Sequence, residues 1–165
     1  MYRRACQYLA AMLVFAGSAS PAFAGDGLTL FGTVTGQCFT GDVGEGARDT
    51  HCFAPIFGGK HLRDSHRVIL DGKIVYSGET IYSVEAGQVT FTYVNSLGGV
   101  GRGSAKAAPG GIAFTGTMRA SPAARMQSMN SHWLWRKGGG YEAAAPGQPA
   151  VNFKPSCGTA PCRQP

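Results

Sequence analysis

The feature that most constrains this chain is residues 67–119, where short alternating runs of apolar and polar residues are separated by glycine-rich turns. In residues 88–95 the alternation is strict, with an apolar or aromatic side chain at every second position and threonine between them. A period of two is typical of a β-strand with one buried face. The segment therefore predicts four or five consecutive short strands.

The same pattern extends along the chain and leaves little room for helix. No window after residue 25 repeats apolar residues at helical spacing for three turns. The Asp71-Gly72 pair lies between two apolar runs and is the strongest hairpin signal, because both residues tolerate a positive φ. The predicted strands are 28–35, 51–57, 66–71, 73–83, 88–95, 99–107, 111–119, 126–136 and 148–154.

A meander of eight or nine short strands has two edges that it must protect from pairing with other chains. Closure into a barrel removes both edges, and an eight-strand barrel is wide enough to hold one small ligand. We therefore predict an all-β fold, an antiparallel up-and-down meander that closes into an 8- or 9-strand barrel. A two-layer sandwich is the alternative.

The N-terminal residues 1–24 have the parts of a secretory signal peptide. Two arginines near the start precede an apolar run at 9–17, which is too short to cross a bilayer, and Ala22-Phe23-Ala24 fits a signal peptidase site. We expect cleavage before Gly25, a periplasmic or secreted protein, and no stable membrane insertion. An uncleaved membrane anchor is the alternative.

Cleavage would remove 24 of the 165 residues and leave 141, which suits one domain with its own core. We place this β-barrel domain at 25–154 and an irregular tail rich in proline and cysteine at 155–165. The first 24 residues carry two of the 15 basic residues and none of the nine acids, so the net charge becomes +4. The basic residues are scattered, and nucleic acid is therefore not an expected partner.

Four cysteines remain after cleavage, and an even number in an exported chain points to disulfides. Four cysteines allow three connectivities. Nearness in sequence favours Cys38–Cys52 and Cys157–Cys162. A zinc site is the competing interpretation, but the spacings lack a paired C-x-x-C and an oxidising compartment favours disulfides.

Strand parity predicts an interior of aromatic and apolar side chains with few polar groups, which is typical of a small-molecule pocket. The predicted ligand-binding residues are His51, Phe53, His66, Tyr76, Tyr82, Phe91, Tyr93, Phe114, Met118 and Trp133. Two inward-facing glycines, Gly78 and Gly116, would leave room for a ligand. The alternative is a filled core whose tyrosine hydroxyls bond to the backbone.

Three histidines, His51, His61 and His66, lie within sixteen positions, with Asp49 and Asp64 nearby. Such a set is suited to binding a metal ion, ligating haem or transferring protons. The histidines fall on different strands and a loop, however, and an inward histidine commonly has a structural role. No cofactor or metal is predicted, and haem or metal ligation by the three histidines is kept as an alternative.

Motifs for catalysis are lacking. The sequence has no G-x-S-x-G nucleophile motif, and Gly101-Arg102-Gly103 precedes no helix that would make it a phosphate loop. The glutamates are scattered rather than paired as in glycoside hydrolases. We therefore predict no catalytic residue and expect binding rather than catalysis.

The segments His51-Cys52-Phe53, 58–66 and 76–82, with the late strand Trp133-Leu134-Trp135-Arg136, resemble the lipocalin-like or calycin barrels, in particular small exported bacterial ones. The similarity covers roughly residues 28–141. It implies a barrel that carries a small apolar or amphipathic ligand in its interior.

Overall fold

Residues 26–156 are described by a computed structural model, and they form a closed antiparallel β-barrel of ten strands. The predicted signal peptide and the predicted Cys157–Cys162 pair lie outside the described residues. Within 26–156, no helix has both the length and the apolar character needed to cross a membrane.

Each strand pairs antiparallel with the next one in the chain, and β1 also pairs with β10, which closes the barrel. The predicted all-β meander closing into a barrel is therefore confirmed, with ten strands rather than eight or nine. The strands are β1 (Cys38–Gly44), β2 (Ala47–Ile56), β3 (His61–Leu70), β4 (Lys73–Glu85), β5 (Gln88–Asn95), β6 (Val100–Ala108), β7 (Gly111–Arg119), β8 (Gln127–Trp135), β9 (Tyr141–Ala144) and β10 (Val151–Pro155). Residues 26–156 also contain two 3-10 helices, η1 (Asp26–Phe31) and η2 (Phe57–Gly59).

The predicted strand at 28–35 is wrong, because this segment forms η1 and the turn after it. Leu28, Phe31 and Val34 are spaced three residues apart and are fully buried. A spacing of three places side chains on one side of a 3-10 turn, not on one face of a strand. Two real strands, β1 and β9, were missing from the prediction, since β1 contains glycine and aspartate and β9 has only four residues.

The predicted hairpin at Asp71-Gly72 is confirmed. Both residues have a positive φ, 49° and 75°, as a type I′ turn requires. Ala86 and Gly87 repeat this geometry between β4 and β5, with φ values of 48° and 78°. Short turns of this kind alternate between the two ends of the barrel.

The segment η1 closes one end of the barrel. The ring of Phe31 lies 4.3 Å from that of Tyr82 and 6.2 Å from that of Trp133, centroid to centroid. Gly27 lies against Val84 and Val89 at the same end. The opposite end, formed by the β1–β2, β3–β4, β5–β6, β7–β8 and β9–β10 turns, has no helix over it within residues 26–156; we refer to it as the open end.

Aromatic rings fill the closed half of the barrel. Tyr141 stacks on Phe153 with ring centroids 4.9 Å apart, and it lies 4.6 Å from Trp133 and 5.5 Å from Phe39. Phe53 reaches Trp133 at 5.6 Å. Each such pair contributes roughly 0.5–1.5 kcal/mol beyond its buried area, so this half of the barrel is a rigid floor.

The predicted Cys38–Cys52 disulfide is confirmed. The two cysteines lie directly opposite each other on β1 and β2, with Cα atoms 4.1 Å apart. Strand β1 also pairs with β10, where the backbone amide of Ser156 donates to the carbonyl of Cys38. The disulfide therefore stabilises the seam at which the barrel closes.

We predict that the double variant Cys38→Ser, Cys52→Ser is less stable than the wild type by about 2–4 kcal/mol, because the cross-link removes conformational freedom from the unfolded chain. Urea unfolding monitored by circular dichroism measures the loss. A reductant should destabilise the wild type and leave the double variant unchanged; equal sensitivity of both proteins would contradict the prediction.

Candidate functional site

Two aspartates and two histidines meet on the inner face of β2 and β3. The strand register places His51 directly opposite His66, and the two imidazole centroids are 4.7 Å apart. Asp49 and Asp64 each lie two residues from a histidine and therefore share its face. We refer to Asp49, His51, Asp64 and His66 as the Asp–His quartet.

Within the quartet the contacts run diagonally between the strands. His51 Nδ1 lies 3.0 and 2.9 Å from the two carboxylate oxygens of Asp64, and His51 Nε2 lies 3.2 Å from Asp49 Oδ2. His66 Nδ1 lies 3.2 Å from Asp49 Oδ1. Since a carboxylate only accepts hydrogen bonds, each of these imidazole nitrogens donates.

Two tyrosines extend this hydrogen-bonded row toward β4 and β5. His66 Nε2 lies 3.2 Å from the hydroxyl of Tyr93, which lies 2.5 Å from the hydroxyl of Tyr76. In a neutral His66 that donates through Nδ1, Nε2 accepts from Tyr93. The row therefore runs without a break from Asp64 to Tyr76 across four neighbouring strands.

The charges in the quartet support one another. Burial by itself would lower the pKa of His51, but the charge of Asp64 and the hydrogen bonds to Asp49 and Asp64 outweigh it and raise the pKa to about 10. Burial likewise favours protonation of Asp49, but its hydrogen bonds with His51 and His66 hold its pKa far below the ordinary value. These contacts therefore favour the protonated form of the half-buried His51 at neutral pH.

Three tyrosines inside the barrel, the buried Tyr82 and Tyr141 and the half-buried Tyr93, stay protonated at neutral pH. Burial raises the pKa of Tyr93, and its hydrogen bond with Tyr76 adds to the effect. Burial and then the charge of Asp64 raise the pKa of Tyr82 and Tyr141 well above the usual range. The hydroxyl of Tyr141 is buried in the aromatic half of the barrel and has no hydrogen-bond partner.

A cavity of about 210 Å³ lies between the quartet and the aromatic floor, toward the open end. Its wall is mostly apolar, and its polar part includes three members of the quartet, His51, Asp64 and His66. Eight of the ten predicted ligand-binding residues line it, namely His51, His66, Tyr82, Phe91, Tyr93, Phe114, Met118 and Trp133. Their role in binding stays a prediction.

The other two predicted residues lie outside the cavity wall. Phe53 is in the floor, with its ring 6.2 Å from that of His51. Tyr76 lies behind the wall, where its hydroxyl contacts that of Tyr93 and its ring lies 5.5 Å from that of His66. The prediction lacked five wall residues, Asp64, Thr80, Gly101, Met129 and Ser131. Strand parity identifies Thr80, Met129 and Ser131, because each lies two or four positions from a predicted residue on the same predicted strand. Asp64 lay outside the predicted strand 66–71, and Gly101 is placed in the wall by its pairing with Tyr93 and Met118.

The histidine set expected from the sequence is only partly assembled. His61 lies five residues from His66 on β3, so the alternation of the strand turns it to the outer face. There its Nδ1 lies 2.8 Å from the hydroxyl of Ser83. Asp64, which the sequence places beside His66, instead contacts His51 on the neighbouring strand.

The two inward glycines have different roles. A Cβ at Gly78 would lie 2.5 Å from His66 Nε2 and 2.7 Å from the Tyr93 hydroxyl, so the glycine makes room for that hydrogen bond. A Cβ at Gly116 would meet the backbone of Arg102 and Gly103. Gly116 therefore allows β6 and β7 to approach closely and does not enlarge the cavity.

Three quartet members are arranged as metal ligands would be. Asp49, His51 and His66 each offer a ligand atom, and these atoms all lie within 4.8 Å of one another. A carboxylate with two imidazoles suits first-row transition metals.

Comparison with known proteins does not add to this description: the chain matches no family model, no curated protein and no solved structure. The function must therefore be argued from the quartet and the cavity.

We predict that the metal-free protein, in buffer with EDTA, loses stability as the pH rises from 6.5 toward 10. The folded-state pKa of His51 is raised from 6.5 to about 10, so its stabilisation is complete below pH 6.5 and disappears through that window. Each pKa unit is worth about 1.4 kcal/mol, so a loss of a few kcal/mol is expected. Urea unfolding across the pH range measures it.

The matched variants for this test are His51→Gln and His61→Gln. His51→Gln should flatten the alkaline decrease in unfolding free energy, whereas His61→Gln, which removes a histidine outside the quartet, should keep it. Asp49 makes the opposite contribution, present above its ordinary pKa of 3.8 and lost as the pH falls below that value. An unchanged alkaline decrease in His51→Gln would refute the assignment.

We also predict that Gly78→Ala destabilises the protein by about 1–3 kcal/mol, because the added methyl group forces His66 and Tyr93 apart. Gly101→Ala is the control, since a Cβ there would lie 3.3 Å from the nearest atom, the Cβ of Met118. Its cost should be smaller. Thermal unfolding compares the two, and equal losses would show that Gly78 has no special role.

Proposed function

We propose that this chain is an exported, lipocalin-like barrel that binds one small amphipathic molecule in its interior. The observation that carries the proposal is the cavity of about 210 Å³, which has mostly apolar walls and is lined on its polar side by His51, Asp64 and His66. Apolar walls with a few convergent polar groups are typical of ligand sites. The fold alone does not choose the function.

The size of the cavity sets the size of the ligand. At about 210 Å³ it is smaller than the roughly 300–1,000 Å³ of most drug-sized pockets, and larger than a cavity of about 150 Å³ that holds benzene. A short alkyl chain or one to two fused rings suits this space. A porphyrin is too large for it, so the size argues against the haem alternative.

The charge of the quartet sets the polar group of the ligand. The quartet contains two carboxylates, Asp49 and Asp64, and that of Asp64 also lines the cavity. A ligand carrying an amine or hydroxyl group meets a complementary surface there, whereas a carboxylate meets a like charge. We therefore favour a short-chain amine or alcohol over a fatty acid.

The rim of the open end suits an apolar ligand. The large exposed hydrophobic side chains lie in the turns and strand ends at the open end, except for Phe57 at the closed one. They are Val43, Ile69, Ile74, Val75, Val94, Leu97 and Met126. An apolar rim next to an apolar cavity supports entry of the ligand from this end.

Export is supported by two features. The disulfide between Cys38 and Cys52 is the kind of cross-link that persists in oxidising compartments. The N-terminal pattern of residues 1–24 is that of a cleaved signal peptide. Intact mass of the protein expressed from its full reading frame in a bacterial host tests this: a periplasmic product beginning at Gly25 is expected, and a full-length cytoplasmic product would contradict export.

We predict that octylamine and 1-octanol bind the metal-free protein more tightly than octanoate and change the fluorescence of Trp133, which lines the cavity. A Trp135→Phe background isolates this signal, and titration calorimetry confirms the affinities. Native mass spectrometry of the protein as purified shows whether a small molecule accompanies it.

Two serines on β8 give matched variants for this test. Ser131 lines the cavity, whereas Ser128 on the same strand is exposed. Ser131→Leu should fill the cavity and abolish binding, and Ser128→Leu should leave binding unchanged. The proposal fails if no probe binds, or if Ser131→Leu binds as well as the wild type.

A further inference from the structure

Three side chains of the quartet converge on one point beside the cavity. We propose that Asp49, His51 and His66 bind a divalent transition-metal ion there, with Asp64 and Tyr93 as positioning residues for the two imidazoles. The site differs from the histidine set expected from the sequence, because it excludes His61 and includes a carboxylate.

The chemistry of the donors favours a first-row transition metal. Two imidazole nitrogens and a carboxylate oxygen are common ligands of Zn²⁺ and related ions, whereas Ca²⁺ and Mg²⁺ prefer oxygen ligands throughout. Thiolate ligands do not compete within the barrel, since Cys38 and Cys52 form a disulfide.

The spacing of the donors is that of a coordination sphere. His51 Nε2 lies 3.2 Å from Asp49 Oδ2, and His66 Nδ1 lies 3.2 Å from Asp49 Oδ1. Two ligands of a tetrahedral ion with bonds of about 2.0–2.1 Å are roughly 3.3 Å apart. All three donors lie within 4.8 Å of one another, so small side-chain rotations bring them onto one ion.

The outer contacts hold each imidazole by its other nitrogen. Asp64 contacts Nδ1 of His51, which leaves Nε2 for the ion. Tyr93 contacts Nε2 of His66, which leaves Nδ1. A hydroxyl accepts as well as donates, so Tyr93 can accept from Nε2–H when Nδ1 binds metal. Partners of this kind fix the orientation of metal-binding histidines in other proteins.

The burial of the charges favours a bound cation. Asp49 and Asp64 are 8% and 2% exposed, and unbalanced charge in such surroundings is costly. A divalent ion balances both carboxylates. It competes with the proton on Nε2 of His51, since a ligating histidine must be unprotonated at the binding nitrogen.

Three protein ligands leave a tetrahedral ion one open position, as in zinc sites that bind a substrate or water. His51 and His66 both line the cavity, so a molecule in the cavity has access to the ion. This last step rests on the proposed function, whereas the ion site itself does not.

The test uses untagged protein from which metal has been removed with EDTA, titrated with Zn²⁺ by calorimetry and with Co²⁺ by visible absorption. One ion per chain and the strong visible bands of four-coordinate Co²⁺ are expected. His51→Gln and His66→Gln should each lose binding, and Asp64→Asn should weaken it roughly 10- to 100-fold. His61→Gln, the matched control, should bind as the wild type does.

Circular dichroism and thermal unfolding show which variants are folded. A rise in the unfolding temperature of the wild type on addition of Zn²⁺ provides a test that does not depend on the variants. The proposal is overturned if the wild type binds no metal. It is also overturned if both histidine variants still bind, because the ion would then lie elsewhere, for example on Cys157 and Cys162. Octylamine binding in EDTA tests the proposed function separately: if it persists while Zn²⁺ does not bind, only the ion site fails.

Discussion

The register between β2 and β3 is the constraint on which the site depends. Because His51 is paired with His66, the diagonal contacts from His51 to Asp64 and from His66 to Asp49 are within reach. A shift of one residue would turn every side chain of one strand to the opposite face, and two buried charges would lose their partners. The alternation that buries Leu62 and Phe53 on the same faces resists such a shift.

The aromatic floor and the quartet depend on each other. The floor excludes water from the closed half of the barrel, which strengthens the attraction between His51 and its two carboxylates. Where water is excluded, each of these charged groups would be unfavourable without its oppositely charged partner. The disulfide between β1 and β2 and the packing of η1 over the closed end stabilise this half of the barrel. The quartet and the aromatic floor therefore stabilise each other, and the small cavity lies between them.

Much of the fold could be predicted from the sequence, because it is encoded locally. Strand β5 and the Asp71-Gly72 turn were predicted with the observed bounds, since alternation and positive φ are properties of neighbouring residues. The segment 28–35 was misassigned because Leu28, Phe31 and Val34 are apolar in either conformation, and only their packing against the barrel selects the 3-10 turn. His61 is a second such case: the predicted strand began at residue 66 and left His61 in a loop, whereas β3 begins at His61 and its alternation turns His61 to the outer face.

The sequence by itself determined that the chain is an all-β meander with tight hairpins and a short-range disulfide, because periodicity, turn chemistry and the spacing of Cys38 and Cys52 each act over a few residues. Only the tertiary structure decided which aspartate contacts which histidine, and that η1 closes one end while a cavity remains at the other. Those features depend on the register between strands and on how many strands the barrel closes with. Neither quantity is set within a single segment of the chain.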